Sequence, residues 1–393
     1  MSDNDPASPP LTLILAEDGK AGGIGRYCVD LAELLRAPVA CLCDESCPPP
    51  RGCWLAAQCR SRGVPLLSVP MPARGWRQGL PGLVRLWRHL GQPLVHANGR
   101  RGNFLSIAAR ISVPRFRYVT TAHGILGLHD PHNAVYRLVD LSACRLADAA
   151  IAVSADTAKR LMAAGSPRGR TVTIPNGLAE RDLAVLTAVA RQRQLADDEH
   201  LPLRLGFLGR LSPEKGTREF LEVARRVTAS MPTSRFLVAG DGPQREWFLR
   251  ESLDMRNAGS MVWKRVVEDV AEFLGQLDVL LMPSHNEGMP YALLEAMAAG
   301  CVPVAFDVGG IAEVVAGPSL GILVRPGDAE GLVRAVTRLG ESRALQRSIG
   351  QAASAHIRDG FTLESRLPLL REAYRNAPPH RRPGGGPCRG DRP

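Results

Sequence analysis

The chain has 393 residues, of which 45% are apolar, and a formal net charge of +10. This length exceeds the range in which one hydrophobic core keeps growing, so two domains are expected. The longest apolar runs are far shorter than the roughly 20 residues that span a bilayer, which argues against a transmembrane helix. Residues 1–177 carry 21 Lys and Arg against 12 Asp and Glu. Such a basic half suits an anionic membrane surface, an anionic acceptor or nucleic acid.

Two features near the start of the chain bear on its cellular compartment. The first residues, Met-Ser-Asp-Asn-Asp-Pro, are acidic and polar where a secretion signal carries positive charge, so we expect a cytoplasmic protein. Five of the nine cysteines fall between Cys41 and Cys59 without a paired C-x-x-C spacing. We therefore favour unliganded thiols over the alternative of a zinc site.

Short apolar runs alternate with segments of helical periodicity along most of the chain. In the first half the runs are Leu11–Ala16, Val39–Cys43, Pro65–Val69, Leu94–Ala97, Arg117–Thr121, Ala149–Ser154 and Thr171–Pro175. In the second half they are Leu203–Gly209, Arg235–Gly240, Val279–Pro283, Val302–Phe306 and Gly321–Val324. This alternation predicts an α/β fold with two Rossmann-like, doubly wound parallel sheets.

A polar stretch between the two sets of strands predicts the domain boundary. We assign residues 1–180 to an N-terminal domain, 181–200 to a linker and 201–360 to a C-terminal domain. Residues 361–376 are expected to form a helix that packs back on the N-terminal domain, and 377–393 to be disordered. Ligands of such sheets bind beyond the carboxyl ends of strands, so two facing sheets predict an interdomain cleft.

Two loops at predicted strand ends suit a phosphate. Gly22 and Gly23 precede a helix, where glycine allows close approach and the helix N-terminus offers N–H donors; a tight turn is the alternative. In the second half, Arg210 and Lys215 bring two cations to a loop after Gly209. Cations suit a diphosphate leaving group, on which negative charge grows, and solvated surface charges are the alternative.

The most informative stretch runs from Pro283 to Gly300. Glu287 lies in a polar loop, Pro290 stands where a first helical turn tolerates proline, and Glu295 follows one turn inside that helix. A carboxylate accepts two hydroxyl hydrogen bonds, which suits the diols of a sugar or ribose. We expect Glu295 to face the cleft; the alternative is a solvent-facing position.

Glu287 and Glu295 enclose seven residues, with Glu-Gly-Met-Pro at the front and Glu-Ala-Met-Ala-Ala-Gly behind. This pattern resembles the signature of glycosyltransferase family 4, which has the two-domain GT-B fold. Further motifs fall in that family's order and spacing: Gly22–Gly25, Ile174–Gly177, Gly209–Leu211 with Lys215–Gly216, Gly240–Pro243, and Gly309–Gly310 followed by Glu313. The resemblance covers nearly the whole chain, and the second half is the more specific.

The resemblance implies a role for each candidate residue. Arg210 and Lys215 would bind the diphosphate of a nucleotide-sugar donor, Glu295 the ribose, and Glu287 with the amides after it the transferred sugar. His123, at a predicted strand end, resembles the histidine that family members place beside the donor sugar; a structural histidine is the alternative. The implied donor-binding set is Gly22, Gly23, Arg210, Lys215, Glu287, Gly288, Met289, Pro290, Leu294 and Glu295, and the implied catalytic set is Glu287, His123, Arg210 and Lys215.

The family retains anomeric configuration and needs no metal ion or other cofactor. We find no Asp-x-Asp pair placed to hold a divalent ion on a diphosphate, and no obvious nucleophile for a double displacement. The resemblance therefore implies same-face substitution, in which the leaving phosphate helps to deprotonate the acceptor. The chain has Trp263–Val266 where many members have a phenylalanine and a glycine, so the donor base stays open between uridine and guanosine.

The segment Arg74–Leu90 interleaves Trp and Leu with Arg. One predicted helical face carries Leu80, Leu83, Val84 and Trp87, and another carries Arg85, Arg88 and His89. This pattern predicts contact with an anionic membrane surface or, alternatively, a helix that covers the N-terminal sheet. Membrane contact would bring the enzyme to a lipid-linked acceptor at the inner face of the cytoplasmic membrane, for synthesis of a cell-envelope glycan such as lipopolysaccharide, capsule or glycolipid.

Two other functions fit parts of the pattern. A nucleotide-sugar epimerase with the GT-B fold shares the architecture, but would not be expected to carry the arrangement of Glu287 and Glu295. A basic protein that binds nucleic acid or membrane without catalysis would explain the charge of the first half. The sequence has no recognition module for nucleic acid, however. We therefore predict a hexosyltransferase whose partners are a UDP- or GDP-linked donor and a glycan or lipid-linked acceptor, with no nucleic acid.

Overall fold

The computed structural model describes residues 12–16, 22–43, 53–71, 76–113, 115–124, 134–195 and 201–376. The strands are β1 (Thr12–Ala16), β2 (Val39–Cys43), β3 (Leu66–Pro70), β4 (Leu94–Asn98), β5 (Tyr118–Ala122), β6 (Ala149–Ala152), β7 (Thr171–Thr173), β8 (Arg204–Leu208), β9 (Arg235–Ala239), β10 (Met261–Lys264), β11 (Val279–Met282), β12 (Val302–Phe306) and β13 (Ile322–Val324). The helices are α1 (Gly23–Leu35), α2 (Trp54–Ser61), α3 (Trp76–His89), α4 (Gly99–Ser112), α5 (Ala134–Leu146), α6 (Ala155–Ala163), α7 (Glu180–Leu195), α8 (Thr217–Ser230), α9 (Arg245–Glu251), α10 (Leu253–Asn257), α11 (Val270–Gly275), α12 (Tyr291–Ala298), α13 (Ile311–Val314), α14 (Ala329–Gly340), α15 (Arg343–Gly360) and α16 (Leu367–Arg375).

Two parallel sheets organise these elements. The first has the strand order β3-β2-β1-β4-β5-β6-β7, and the second has the order β10-β9-β8-β11-β12-β13. Parallel neighbours require crossover connections, which the helices supply while they cover both faces of each sheet. The strand order reverses between β1 and β4 and between β8 and β11, where open α/β sheets bind ligands. The two doubly wound sheets predicted from the sequence are confirmed.

Each described strand except β10 overlaps an apolar run that predicts it. Strand β10 has the sequence Met-Val-Trp-Lys and lies at the edge of its sheet, paired with β9 alone. Val262 and Lys264 are exposed there, so the strand lacks the continuous apolar run of a central strand. Its position at the edge of the sheet therefore explains why the sequence does not predict this strand.

The predicted linker at 181–200 is in large part the helix α7. Its apolar residues Leu183, Leu186 and Ala190 are buried at helical spacing. Arg193, near its end, donates to the carboxylate of Asp278 at 3.3 Å. Residues 181–195 are therefore packed against the C-terminal domain, and the first turn of α7 also pairs with α1 of the N-terminal domain. Residues 196–200 lie outside the described residues.

The end of the described chain returns to the N-terminal domain. The amide of Leu178 donates to the carbonyl of Phe361, and the amide of Leu363 donates to the carbonyl of Leu178, both at 2.9 Å. In α16 the hydroxyl of Tyr374 lies 2.7 Å from Nδ1 of His96 in β4. The segment 361–376 therefore contacts the first sheet, and the tail at 377–393, predicted to be disordered, lies outside the described residues.

Helix α3 covers the first sheet with its apolar face. Leu83 and Trp87 are 0% and 2% exposed, and the Trp87 indole donates to the carbonyl of Pro93 at 2.9 Å. Arg85 and Arg88 are exposed on the opposite face. The domain core thus occupies the apolar face, so any membrane contact of this helix would have to use its basic face. Within the described ranges, every helix is too short or too polar to cross a bilayer.

Candidate active site

The conspicuous loops of the sequence meet at the carboxyl ends of the central strands. In the C-terminal domain the loop after β8 carries Arg210 and Lys215, and the loop after β11 carries Glu287. In the N-terminal domain β4 ends at Asn98, and β5 is followed by His123. Both sheets therefore present polar side chains to the cleft between the domains, as predicted.

Lys215 and Glu287 form a close ion pair. The Lys215 ammonium lies 2.7 Å from Oε1 and 2.8 Å from Oε2 of Glu287, so both carboxylate oxygens accept from it. Glu287 is only 7% exposed, whereas the Lys215 side chain is 29% exposed. A small pocket of about 30 Å³ adjoins the pair and includes Ser284 and Pro290 in its lining. The ion pair is thus reachable by a ligand from the Lys215 side.

The backbone around Lys215 is fixed by the loop that carries Glu287. Gly216 has a φ of +70°, and a Cβ on it would lie 1.9 Å from the carbonyl oxygen of Pro283. The amide of His285 donates to the carbonyl of Glu214 at 2.9 Å. Glycine is required at position 216 both for its conformation and for this close approach. The two loops therefore place their charges together before any ligand arrives.

Arg210 is exposed on the same loop as Lys215, and its guanidinium makes no hydrogen bond or ion pair with the described residues. Its loop is held by the turn at 240–243, where the amide of Leu211 donates to the carbonyl of Asp241 at 3.1 Å. Gly240 lies so close that a Cβ there would be 1.8 Å from the carbonyl oxygen of Gly209. The turn is thus scaffold for the loop that carries Arg210.

Gly288 brings the two domains into backbone contact. A Cβ at this position would lie 2.1 Å from the carbonyl oxygen of His123 and 2.9 Å from the side chain of Val153. On its other side, the Gly288 carbonyl accepts from the amide of Gly310 at 2.8 Å. The loop that carries Glu287 is therefore packed between the strand end of β5 and the Gly309–Gly310 turn.

The remaining residues of this motif differ in what they offer a ligand. The Met289 carbonyl accepts from the Asn176 side chain at 2.7 Å, and the Met289 side chain is buried. Pro290 immediately precedes α12 and borders the pocket. Leu294 is fully buried in the core. Pro290 is thus placed to touch a donor with its side chain, whereas Met289 and Leu294 support the loop from within.

Glu295 lies against the N-terminal domain rather than in open cleft space. Its Oε1 accepts from Nη1 of Arg26 in α1, and Arg26 also pairs with Asp182 of α7 at 3.1 Å. Burial raises the pKa of Glu295, and Arg26 opposes that rise. Burial acts against the charge of Arg26, but the facing carboxylates of Glu295, Asp30 and Asp182 outweigh it and raise the pKa of Arg26. This differs from a solvent-facing Glu295, and it shows that a cation from α1 already covers one carboxylate oxygen.

Gly22 and Gly23 lie at the start of α1, close to the start of α12. The Gly22 carbonyl accepts from the amide of Arg26 at 3.0 Å, which begins the helix. A Cβ on Gly23 would lie 3.6 Å from the ring of Tyr291. A Cβ on Gly22 would meet no atom of the described residues within 4 Å. The structure therefore brings the glycine motif to the cleft, while residues 17–21 before it lie outside the described residues.

His123 is partly exposed in the cleft and forms a hydrogen bond through Nε2 with Oδ1 of Asn98 at 3.0 Å. The ring of Tyr27 meets it edge to face, with ring centroids 4.9 Å apart. Burial lowers the pKa of His123 to about 4, so its imidazole is neutral near pH 7. His123 is therefore suited to hydrogen bonding rather than to carrying charge.

Sequence reasoning missed Arg26 and Asn98 as members of the site. Arg26 is one of many arginines in the first half, and only the fold shows that it faces Glu295. The sequence could have indicated Asn98, since it is a polar residue at the end of a buried strand that is paired with β5. Glu313, noted only for its spacing, accepts from the amides of Ala155 and Asp156 at 2.9 and 3.0 Å and so joins the domains at the start of α6.

No three His, Cys, Asp or Glu side chains within the described ranges converge as metal ligands. Cys41, Cys53 and Cys59 are buried, and Cys47 lies outside the described residues. Whether the reaction needs a metal ion is therefore left to experiment.

Two facing Rossmann-like sheets, with the Lys215–Glu287 pair in the cleft between them, define a glycosyltransferase of the GT-B type. Residues 21–180 match the family model described as Glycosyltransferase Family 4, and residues 202–342 match the model described as Glycosyl transferases group 1. The chain belongs to glycosyltransferase family 4, as its motifs predicted.

Individual relatives agree with this assignment. The chain is 28% identical over 299 residues to a 2-deoxystreptamine glucosyltransferase of Streptomyces kanamyceticus, covering 68% of this chain and 75% of the relative. It is 34% identical over 190 residues to a 2-deoxystreptamine N-acetyl-D-glucosaminyltransferase of Streptomyces fradiae, covering 46% and 44%. Its fold is similar to that of Anabaena HepE crystallised with UDP-glucose, with a TM-score of 0.75, 21% identity and coverage of 92% and 98%.

Proposed function

We propose that the protein transfers a hexose from a nucleoside-diphosphate donor to an acceptor hydroxyl with retention of anomeric configuration. The observation that carries this proposal is the Lys215–Glu287 pair together with Arg210, which lies on the same loop as Lys215 and whose guanidinium has no partner among the described residues. These three residues provide two cations and one carboxylate at the carboxyl ends of β8 and β11. A sugar diphosphate needs such a set, with cations for the phosphates and a carboxylate for sugar hydroxyls.

Arg210 and Lys215 act on the leaving group in this proposal. Negative charge on the diphosphate increases as its bond to the sugar breaks, so fixed cations stabilise the transition state more than the ground state. Lys215 is already held by Glu287, and a diphosphate would approach its exposed side. The contacts of Gly216 fix the backbone beside Lys215, and Glu287 holds the Lys215 ammonium, so little reorganisation is needed when the donor binds.

We propose retention because the family resemblance implies it. Both oxygens of Glu287 accept from Lys215, and Oε1 of Glu295 accepts from Arg26. A double displacement would need a carboxylate nucleophile at the anomeric carbon, and the ion pair with Lys215 engages both oxygens of Glu287, the glutamate that we assign to the sugar. We therefore propose substitution on the same face, in which the departing phosphate accepts the proton of the acceptor hydroxyl.

Glu295 is proposed to bind the ribose through its second oxygen. Arg26 contacts Oε1, whereas Oε2 has no hydrogen bond from the described residues. A ribose hydroxyl can donate to Oε2 without displacing Arg26, which keeps the carboxylate ionised. Arg26 would then strengthen nucleotide binding indirectly, through Glu295.

The donor proposed first is UDP-glucose, because a protein of similar fold was crystallised with UDP-glucose and a relative is a glucosyltransferase. GDP-linked sugars are the alternative donors to test. For the acceptor, we propose a glycan or lipid-linked glycan of the cell envelope at the inner membrane face. The alternative to test beside it is 2-deoxystreptamine, which the names of two relatives specify.

The direct test is a panel of nucleotide sugars, each scored for protection of the protein against thermal unfolding. A ligand stabilises the state that it binds, so the true donor should raise the melting temperature most. Transfer from that donor is then followed by NMR of the anomeric proton, which should show retention. Inversion of configuration would contradict the mechanism. Epimerisation of the donor without acceptor would instead support the epimerase alternative.

Metal independence is tested in the same assay. We propose that Arg210 and Lys215 supply the positive charge on the diphosphate, so transfer should persist in excess EDTA. A strict requirement for Mg²⁺ or Mn²⁺ would show that the two cations are insufficient.

A further inference from the structure

Among the described residues, a buried polar cluster in the N-terminal domain reaches the cleft only at His123. Nδ1 of His96 lies 2.7 Å from the hydroxyl of Tyr374, and its Nε2 lies 2.7 Å from the hydroxyl of Thr121. Asn98 stands between His96 and His123 and is fully buried. The proposed transfer reaction assigns no role to Asn98.

The position of Asn98 makes its side-chain contacts unusual. Asn98 occupies the residue before α4, where an asparagine ordinarily accepts a hydrogen bond from an amide of the first helical turn. Its side chain makes no such bond here. The amide group instead donates from Nδ2 to the His96 carbonyl at 3.2 Å and accepts at Oδ1 from His123 at 3.0 Å. A group that normally stabilises the helix is therefore committed to the cleft histidine.

The orientation of this amide is fixed by chemistry. The His96 carbonyl is only an acceptor, so the NH₂ of Asn98 must face it and Oδ1 must face His123. An amide oxygen is only an acceptor as well, so Nε2 of His123 must carry the proton. A neutral imidazole has one N–H, and Nδ1 therefore holds a lone pair.

We infer that Asn98 is a positioning residue that fixes His123 in its Nε2–H tautomer, so that Nδ1 offers a hydrogen-bond acceptor to the cleft. Nδ1 has no partner among the described residues. The edge-to-face contact with Tyr27, whose hydroxyl lies 3.3 Å from that of Thr121, restrains the ring. The other tautomer would set two lone pairs against each other at Asn98.

The consequence for the ligand rests on the proposed function. An acceptor at Nδ1 selects a group that donates a hydrogen, so the transferred sugar must place a hydroxyl there. Replacement of that hydroxyl by fluorine retains an acceptor but removes the donor. The site should therefore reject one monofluorinated donor more strongly than its isomers.

The tautomer is measured without any substrate, by NMR of the full chain labelled with ¹⁵N-histidine near pH 7. We expect a pyrrole-type shift at Nε2 and a pyridine-type shift at Nδ1 of His123. Tyr374→Phe, which alters only the far side of His96, is the matched control and should leave both shifts unchanged. The reverse assignment, or equal shifts at the two nitrogens, would overturn the inference.

Two substitutions test whether Asn98 causes the tautomer. Asn98→Ala removes the acceptor and should move the Nε2 and Nδ1 shifts towards each other. Asn98→Asp retains an acceptor oxygen and adds a negative charge. The Nε2–H tautomer should therefore persist, and the pKa of His123 should rise from about 4. The other titratable groups around His123 are Tyr27, His96 and, on the loop packed against its backbone, Glu287. If the His123 shifts are unchanged in Asn98→Ala, Asn98 is not the positioning residue.

Binding of monofluorinated UDP-glucose isomers then connects the tautomer to the sugar. One isomer should bind roughly three- to tenfold more weakly than UDP-glucose to the wild type, and this loss should shrink in Asn98→Ala. Equal binding of all isomers would overturn the assignment of Nδ1 to a sugar hydroxyl even if the tautomer is correct. Failure of UDP-glucose to bind at all would instead count against the proposed donor, since the NMR result does not depend on it.

Discussion

The two walls of the cleft differ in whether their polar groups are charged or neutral. The C-terminal wall, comprising Arg210, Lys215 and Glu287, is charged and partly open to solvent. The N-terminal wall presents His123, which is neutral and is held from behind by the buried Asn98, whose side chain also donates to the His96 carbonyl. Burial lowers the pKa of His123 to about 4 and, with His123 nearby, that of His96 to about 3.

This difference matches the two parts of a nucleotide sugar. A diphosphate carries charge and needs cations that stay ionised, which requires access to water or a close counterion. A sugar is uncharged, and neutral groups in fixed orientations distinguish its hydroxyls more sharply than mobile charges do. The C-terminal wall should therefore control the rate of bond breaking, and the N-terminal wall should control which sugar is accepted.

The largest effect is expected when a cation of the C-terminal wall is removed. Arg210→Ala and Lys215→Ala should each lower kcat by about 10²–10³-fold, because each cation stabilises charge that develops on the leaving diphosphate. Steady-state kinetics with the donor that protects the protein best would measure this.

Two control variants test whether the loss of any exposed positive charge would lower kcat. Lys159→Ala in α6 and Arg250→Ala in α9 remove exposed cations that do not belong to the cleft loops, and both should retain normal kcat. Equal losses in the cleft variants and these controls would remove Arg210 and Lys215 from the site.

Substitution of the two glutamates should affect different properties of the enzyme. Glu287→Gln should lower kcat more than affinity for free UDP, because positive charge develops on the sugar beside it. Glu295→Gln should weaken UDP and UDP-sugar alike. It should also lower the free energy of unfolding by about 1–3 kcal/mol, since Arg26 loses a buried charged partner. Kinetics, UDP titration and thermal melts on both variants would measure these effects.

The opposite pattern would reverse the assignment. If Glu287→Gln loses affinity for UDP while Glu295→Gln loses only turnover, the sugar and ribose roles must be exchanged. If neither substitution changes kinetics or binding, the site itself is misassigned.

Contact between the walls is tested at Gly288. Gly288→Ala places a methyl group against the His123 carbonyl, so we expect a loss of about 1–3 kcal/mol in stability together with reduced turnover. Gly317→Ala is the control, because a Cβ there meets no atom within 4 Å. Thermal melts and kinetics that are normal in both variants would mean that the walls do not meet as described.

The smallest effect concerns the outside of the N-terminal domain. Arg85→Glu with Arg88→Glu should weaken binding to anionic vesicles roughly tenfold at low salt if the basic face of α3 contacts membranes. Arg250→Glu is the control on the other domain. Trp87→Ser should instead lower stability by about 3 kcal/mol, because Trp87 is core. A wild-type protein that ignores such vesicles would end the membrane proposal.

The sequence predicted the charged wall far better than the neutral one. Arg210, Lys215 and Glu287 lie in loops whose glycines and prolines constrain local geometry, so short-range patterns were enough. The pairing of Arg26 with Glu295 joins residues 269 positions apart, and no local pattern reports such a contact. The same is true of His96 and Tyr374, 278 positions apart. These contacts depend on how distant segments pack together. The roles of their side chains can therefore be inferred only once the fold is known.

The central claim is that Lys215 and its neighbours bind the donor diphosphate, and calorimetric titration with UDP and UDP-glucose tests it most directly. Loss of a charge-assisted contact in Lys215→Ala should weaken both ligands at least about tenfold, whereas Lys159→Ala should bind them as the wild type does. If Lys215→Ala is correctly folded by thermal melt and binds UDP with unchanged affinity, the cleft beside Glu287 is not the diphosphate site.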